Sequence, residues 1–349
     1  MGVCSNKNYD LSRRRILKGM GAMAGMASTG SFLSIGPAQA AGNYKIQMQL
    51  GWLASNGILG EVMADKLGYF AEEGLELEIV PGGPNIDGVA SVASGANNFA
   101  SISSSPSLML ARAAGLPIKC VAAGYQQHPF TYFSLSGNPI REPKDMIGKK
   151  IGTQGTAQIL LRALLAKNGI SESDVEVIVM GGNMSPLMTG QVDAITGWKT
   201  NVGALSVLGE QRVDMMLWDA GIQLYANPYY TTDKVLDENG DKITAAIRAI
   251  SRGWGAVHAD PAAGVDALVE RYPNLDRESE MKAVDLVLGF TFNDKTGANG
   301  WGQMDVANWE AQIDTYDSLG QFANGAPKLD DIMTLDVLNA TADVRPKIG

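Results

Sequence analysis

The chain has 349 residues, with 28 Lys plus Arg against 37 Asp plus Glu, two His and two Cys. The first 40 residues hold five of those basic residues and one of the acidic ones, so residues 41–349 carry a formal charge of −13, a balance that argues against nucleic acid and anionic lipid as partners. Cys4 lies in that leading stretch and Cys120 stands alone beyond it, which excludes an intramolecular disulfide, while His128 and His258 sit in no zinc or triad motif.

Asp10-Leu11-Ser12-Arg13-Arg14-Arg15-Ile16-Leu17-Lys18 reads as an address. A weakly apolar run, Ile16 to Ile35, follows the basic block, and Ala38-Gln39-Ala40 supplies a small-x-small cleavage pattern. The block resembles a twin-arginine signal, with Ile16 in place of the usual Phe. That resemblance implies export of an already folded chain by the twin-arginine machinery, cleavage after Ala40 and a periplasmic product; the rival reading is an amphipathic N-terminal helix. The remaining 309 residues suit two lobes. No apolar run there approaches the roughly 20 residues of a membrane span, so a soluble product is expected. An exported protein also lacks cytoplasmic ATP and reduced nicotinamide.

The pattern predicts a strand over 44–50, a loop over 51–57, and a helix over 58–69 with Ile58, Leu59, Val62, Met63 and Leu67 on one face. A strand over 76–80, a Pro81-Gly82-Gly83-Pro84 loop and a helix over 86–94 follow. A short strand at 99–102 leads to a helix opened by Ser105 and Pro106, and a buried strand covers 118–124. Such alternation predicts a parallel α/β sheet. Gln126 to Pro129 interrupts it. A second series runs through strands at 131–135, 150–152, 175–179, 192–196 and 213–217, with helices at 157–168, 186–190 and 201–208. Asn227 to Thr232 interrupts the pattern again, and the remainder reads as helical. The two crossings divide the chain into a leader, 1–40, a first lobe, 41–128 with 230–349, and a second lobe, 129–229.

Gly68-Tyr69-Phe70 followed by Gly74-Leu75-Glu76-Leu77 resembles the opening of periplasmic substrate-binding proteins of the nitrate, sulfonate, taurine and thiamine-pyrimidine group. Residues 143–152, Gly190 to Ala194 and Ala249 to Trp254 fit the same group. Within it, Tyr125 to Phe130 and Thr196 to Asn201 look closest to binders of hydroxymethylpyrimidine and riboflavin. The resemblance implies a two-lobed type II periplasmic binding protein fold, α/β, with the ligand cleft between lobes. It also implies partners: a small-molecule ligand, and an ABC permease with its ATPase. One related group, the yeast-type pyrimidine synthases, is enzymatic and carries a Cys-rich motif that this chain lacks.

Ligands in open α/β sheets sit beyond the carboxyl ends of the strands, where helix N-termini present free N–H groups. That rule selects Trp52 and Asn56 after the first strand, and Gly82 to Asp87, with Asp87 at its end, after the second. It selects Ser104 and Ser105 after the third strand and Gln127 at the crossing. In the second lobe it selects Gln154, Gly155, Thr156, Asn183, Trp198 and Asp219. Trp52 serves equally for packing or ring stacking, while Asn56 and Ser105 serve as helix caps, a role compatible with binding. His128 reads as structural and His258 as a surface residue. Two Trp, neutral donors and a single nearby cation, Lys199, point to an uncharged heteroaromatic ring. The expected role is capture of a pyrimidine-like vitamin precursor for import, with no cofactor, metal or catalysis and a monomeric mature chain. The alternatives are a sulfonate, taurine or nitrate ligand, a sensor subunit, and an exported enzyme using His128 or Asp219.

Overall fold

The computed structural model describes residues 43–83 and 86–349. The twin-arginine stretch, the Ala40 cleavage site, Pro84 and Asn85 lie outside the described residues. Among the described residues ten strands form two five-stranded sheets. The first contains β1 (Tyr44–Gln49), β2 (Leu75–Val80), β3 (Phe99–Ser101), β4 (Ile118–Tyr125) and β10 (Ala226–Thr232) in the order β2-β1-β3-β10-β4. The second contains β5 (Phe130–Leu135), β6 (Lys150–Thr153), β7 (Glu176–Val179), β8 (Ala194–Trp198) and β9 (Arg212–Met216) in the order β7-β6-β8-β5-β9.

The two sheets share one plan. In each, the first strand of a local βαβ series lies between the second and third, and the fourth position is filled by a strand that has just crossed from the other sheet. That strand runs antiparallel to both neighbours: β10 against β3 and β4, β5 against β8 and β9. The sheets are therefore mixed, where the local alternation alone predicts parallel ones. Both segments that break the pattern matter here. Residues 227–232, which read as an interruption, form most of β10. Pro228 is tolerated in this central strand because its carbonyl still accepts from Ile102 N–H at 3.1 Å, and a register shift follows at Tyr229/Tyr230.

Apolar alternation builds the sheets. Ile46 and Met48 of β1 point into the core without exposure. All of β4 except Lys119 is buried, as a strand covered on both faces requires. Trp254, Trp301 and Trp309 are fully buried in the larger core, which covers the first sheet and continues into the second through Tyr132, Ile151 and Ala194. A separate, smaller cluster of Phe133, Met184, Leu187, Val192, Ile195, Leu205 and Leu208 supports one face of the second sheet. The helix Leu59–Lys66 packs along the long helix Asp233–Ala259, so the C-terminal half returns to the first sheet. Their approach is close: a Cβ on Gly253 would lie 2.0 Å from Gly60 O, and one on Gly60 would meet the Trp254 ring at 2.2 Å. Among the described residues no helix is long and apolar enough to cross a membrane.

Candidate ligand-binding cleft

The loops after β1, β2 and β3 converge at the carboxyl edge of the first sheet. They touch backbone to backbone. A Cβ on Gly51 would sit 2.8 Å from Ile102 Cα, and one on Gly82 would sit 2.3 Å from Leu50 O. Only glycine fits such approaches, so these two residues are needed for assembly of the edge whatever they do for ligand. Trp52 projects from this edge at 37% exposure beside Leu53. Asp87 caps the helix Gly88–Ala93, its carboxylate accepting from Ala90 N–H at 2.9 Å. Ser104 precedes the helix Ser105–Ala113 and lies 3.1 Å from Ser107, hydroxyl to hydroxyl. Ser105 faces inward. It is fully buried, and its hydroxyl bonds Gln312 Oε1 at 2.5 Å and accepts from Tyr225 N–H at 3.3 Å.

The second sheet offers a matching edge. Gln154 leads into the turn Gly155–Ala157 and the helix Gln158–Lys167. Its amide lies 3.4 Å from the point a Cβ on Gly182 would occupy, so Gln154 covers the loop after β7. Asn183 in that loop is exposed and accepts from Ser185 N–H at 2.9 Å. Gly155, Thr156, Gln158, Ile159 and Arg162 face Ser107, Leu110 and Gln321 across an open space of about 430 Å³. Asp219 is exposed, beyond β9. Gln127 is half-buried, and its backbone N–H donates to Phe290 O at 3.3 Å.

The crossings lie at the base. His128 N–H donates to Leu224 O at 3.1 Å, tying one crossing to the other. Trp198, at the end of β8, is half-buried there, its ring centroid 5.4 Å from His128 and 6.0 Å from Tyr125. The His128 ring is buried. Burial pushes its pKa down to about 3, so the imidazole stays neutral, and its Nδ1 accepts from Phe130 N–H at 3.2 Å. The structural role read for His128 is met at Nδ1, while its Nε2 is buried without a partner among the described residues.

Asn56 is almost fully buried and donates across the cleft to Thr200 O at 3.2 Å and, on its own side, to Glu280 Oε2 at 2.8 Å. Tyr125 lies close behind, its hydroxyl buried without a partner among the described residues. Beneath it, Glu61 is buried and accepts from Tyr229 Oη at 2.7 Å. Burial raises the Glu61 pKa to about 7 against the opposing effect of the Tyr229 bond. Lys199, beside Trp198, is paired with Asp214 at 3.6 Å, and Asp214 also holds Arg212 at 2.9 Å. Among the described residues no group of three or more His, Cys, Asp or Glu is arranged to hold a metal ion.

The candidates thus fall into groups. Asn56 and Trp198 are joined near the crossings through Thr200 and the Trp198–Asn201 turn; Gly155 and Thr156 line the open space with Ser107, whose hydroxyl lies beside that of Ser104. Trp52 and Asp87 share the loop edge of the first sheet, whereas Ser105 faces the core and Asp219 is exposed beyond β9. Tyr125, Thr200, Ser107 and Arg162 join the cleft without having been singled out by the strand-end rule. Glu280 had no local signal, because its surroundings, Arg277 to Lys282, read as a charged helix face.

Two lobes of identical strand order, joined by two crossings with a cleft between their carboxyl edges, define the type II periplasmic binding protein fold. The alkanesulfonate-binding protein SsuA of Xanthomonas axonopodis pv. citri, solved with MOPS, has the same fold: TM-score 0.61 at 18% identity, covering 84% of this chain and 99% of that one. Residues 55–264 match the family described as NMT1/THI5 like, and the chain belongs to that family. It is 28% identical to the riboflavin-binding protein RibY of Chloroflexus aurantiacus over 69% of this chain and 71% of the relative. It is 24% identical to the formylaminopyrimidine-binding protein of Halalkalibacterium halodurans, over 78% and 84%. A third relative, at 29% identity over 62% and 66%, is the 4-amino-5-hydroxymethyl-2-methylpyrimidine phosphate synthase of Schizosaccharomyces pombe.

Proposed function

We propose that this chain is the solute-binding component of an ABC importer. It captures a small nitrogen heteroaromatic ligand, of the pyrimidine or vitamin-precursor kind, in the periplasm and delivers it to a membrane permease. The observation that carries the reading is the Trp198 corner. A half-buried indole is held at a strand end by Tyr125 and His128, and the cation beside it, Lys199, is paired with Asp214, a carboxylate it shares with Arg212. A flat ring gains from stacking there, and an anion would have to compete with Asp214 for the ammonium. Two relatives named for riboflavin and formylaminopyrimidine support the same ligand class.

The reading is of binding without turnover. The synthase relative keeps an enzymatic alternative in view. Against it, the His128 ring is buried and neutral with Nδ1 accepting from Phe130 N–H, and Asp219 is exposed to solvent. An anionic ligand has its own support in the N–H-rich turn at Gly155 and Thr156, which faces the open space with Arg162 nearby.

A thermal-shift screen of residues 41–349 separates these readings. The panel holds pyrimidines, flavins, thiamine, sulfonates, taurine and nitrate. A ligand at about 100 times its Kd adds about 2.7 kcal/mol, which moves Tm by several degrees. A shift with a pyrimidine or flavin is the expected result. A shift with sulfonate, taurine or nitrate alone overturns the ring reading, and chemical conversion of the bound compound overturns the binding-only reading.

A further inference from the structure

We propose that Asn56, Thr200 and Glu280 form a latch that holds the two lobes together before any ligand arrives. The side-chain amide of Asn56 has two hydrogens, and both are committed. One bonds the backbone oxygen of Thr200 in the second lobe at 3.2 Å, and the other bonds Glu280 Oε2 at 2.8 Å. Asn56 is 4% exposed and Thr200 is 0% exposed, so the bond across the cleft is shielded from competing water. Glu280 has no cation beside it among the described residues, and burial raises its pKa. Asn56 is the donor that compensates this carboxyl for its lost hydration.

The contact extends beyond one side chain. The helix Arg277–Thr291 reaches both the turn Asn56–Ile58 and the short helix Val202–Leu205. Gly203 lies against Ser279: a Cβ on that glycine would sit 3.2 Å from Ser279 Oγ. The latch is also wired to the ring-binding corner. Asn201 N–H donates to Trp198 O at 3.0 Å, so Trp198 and Thr200 ride on one tight turn. Movement of Thr200 toward or away from Asn56 moves the Trp198 backbone with it. Asn56 therefore contributes to affinity by setting the closed population, a role distinct from touching the ligand. This inference rests on the two-lobed binding reading but not on the identity of the ligand.

The test needs no ligand. Spin labels at Glu76→Cys and Glu176→Cys, on exposed positions of the edge strands β2 and β7, report the distance between lobes; Cys120 is buried and stays unlabelled. In the unliganded protein Asn56→Ala should raise the open-to-closed ratio by about two- to tenfold, the factor carried by one hydrogen bond to the neutral Thr200 carbonyl. Glu280→Ala should do the same, and Glu280→Gln, which keeps an acceptor for the Asn56 amide, should restore most of the closed state. Gly203→Leu is the second route: it wedges Ser279 away without touching Asn56. Unchanged distance distributions in both Asn56→Ala and Gly203→Leu, in folded protein, overturn the latch. An opening seen with Asn56→Ala but not with either Glu280→Ala or Gly203→Leu also overturns it, because the effect then belongs to Asn56 alone.

Discussion

At one end of the cleft Asn56 uses both amide hydrogens on protein acceptors, and Tyr125, Trp198 and His128 press together behind it. At the other end Ser107 and Leu110 face Gly155 and Thr156 across about 430 Å³ of open space. The first end is buried; Asn56 is fully committed there, while Glu61 is left on a single Tyr229 bond and the Tyr125 hydroxyl and His128 Nε2 have no partner among the described residues. The second is open to solvent, and its side chains make only local or exposed contacts, Ser107 with Ser104 and Arg162 with Glu172. The contrast separates two jobs that the strand-end rule merges: holding the lobes and receiving a solute. It also predicts where substitutions hurt. Changes at the closed end act on folding and closure, and changes at the open end act, if at all, on what enters.

The largest effect is expected from glycines on the two sides of that divide. Gly253→Val drives a Cβ to within 2.0 Å of Gly60 O, a backbone atom that cannot swing aside. The cost should exceed about 3 kcal/mol, read as a Tm drop of many degrees or loss of soluble protein. Gly155→Ala, by contrast, places its methyl no closer than 3.9 Å to Val179 Cγ1 and should leave Tm within about a degree. Equal tolerance at both positions would abolish the distinction.

Glu61 gives the next effect. Its pKa is raised from 4.5 to about 7 in the folded chain, so between those values the folded state holds a proton that the unfolded state has released. Its contribution is fully present below about pH 4.5 and is lost as pH rises through about 7, a fall on the order of 3 kcal/mol across the window. Urea denaturation at pH 5 and pH 8 should show wild type losing stability over this interval relative to Glu61→Gln. A parallel pH dependence in the two proteins would place the titration elsewhere.

Trp198→Ala comes third. Removing the indole should weaken binding of the compound that gives the largest thermal shift by roughly 10- to 100-fold, the worth of a stacked ring, while the fold survives because Trp198 is only half-buried. Calorimetric titration checks it, and unchanged affinity takes Trp198 out of the site.

These outcomes bear on what the sequence could and could not show. Strand alternation in 44–50 and the apolar run at 118–124 located β1 and β4, because local burial pattern is written residue by residue. Trp198 was legible for the same reason: it follows Gly197 at the end of a recognisable strand. The role of 227–232 was not, since Pro228 and the left-handed Asn227, φ 48°, read as loop residues while tertiary pairing with β3 and β4 makes them a strand. Asn227 is held there by its amide, which donates to Gly57 O at 3.3 Å, 170 residues away. Glu280 is the extreme case. Its bond to Asn56 spans 224 residues, and no periodicity within Arg277 to Lys282 encodes a partner that far off.

Arg162 carries the smallest expected effect and draws the sharpest line between ligand classes. It is the one cation among the described residues lining the open space, and it already lies 3.3 Å from Glu172 in a pair exposed to solvent. Such a pair contributes at most about 1 kcal/mol, so Arg162→Ala should move Tm by no more than about two degrees. For a neutral ring held at the Trp198 corner, affinity should change less than about threefold, because no ligand charge is opposed or matched by the guanidinium. For a sulfonate or nitrate seated on the Gly155–Thr156 turn, the same substitution removes the nearest cation and should cost tenfold or more, with the loss shrinking as salt screens the pair. Titrations of wild type and Arg162→Ala at about 20 and 200 mM salt therefore report the charge of the solute, even for a compound whose structure is still unknown.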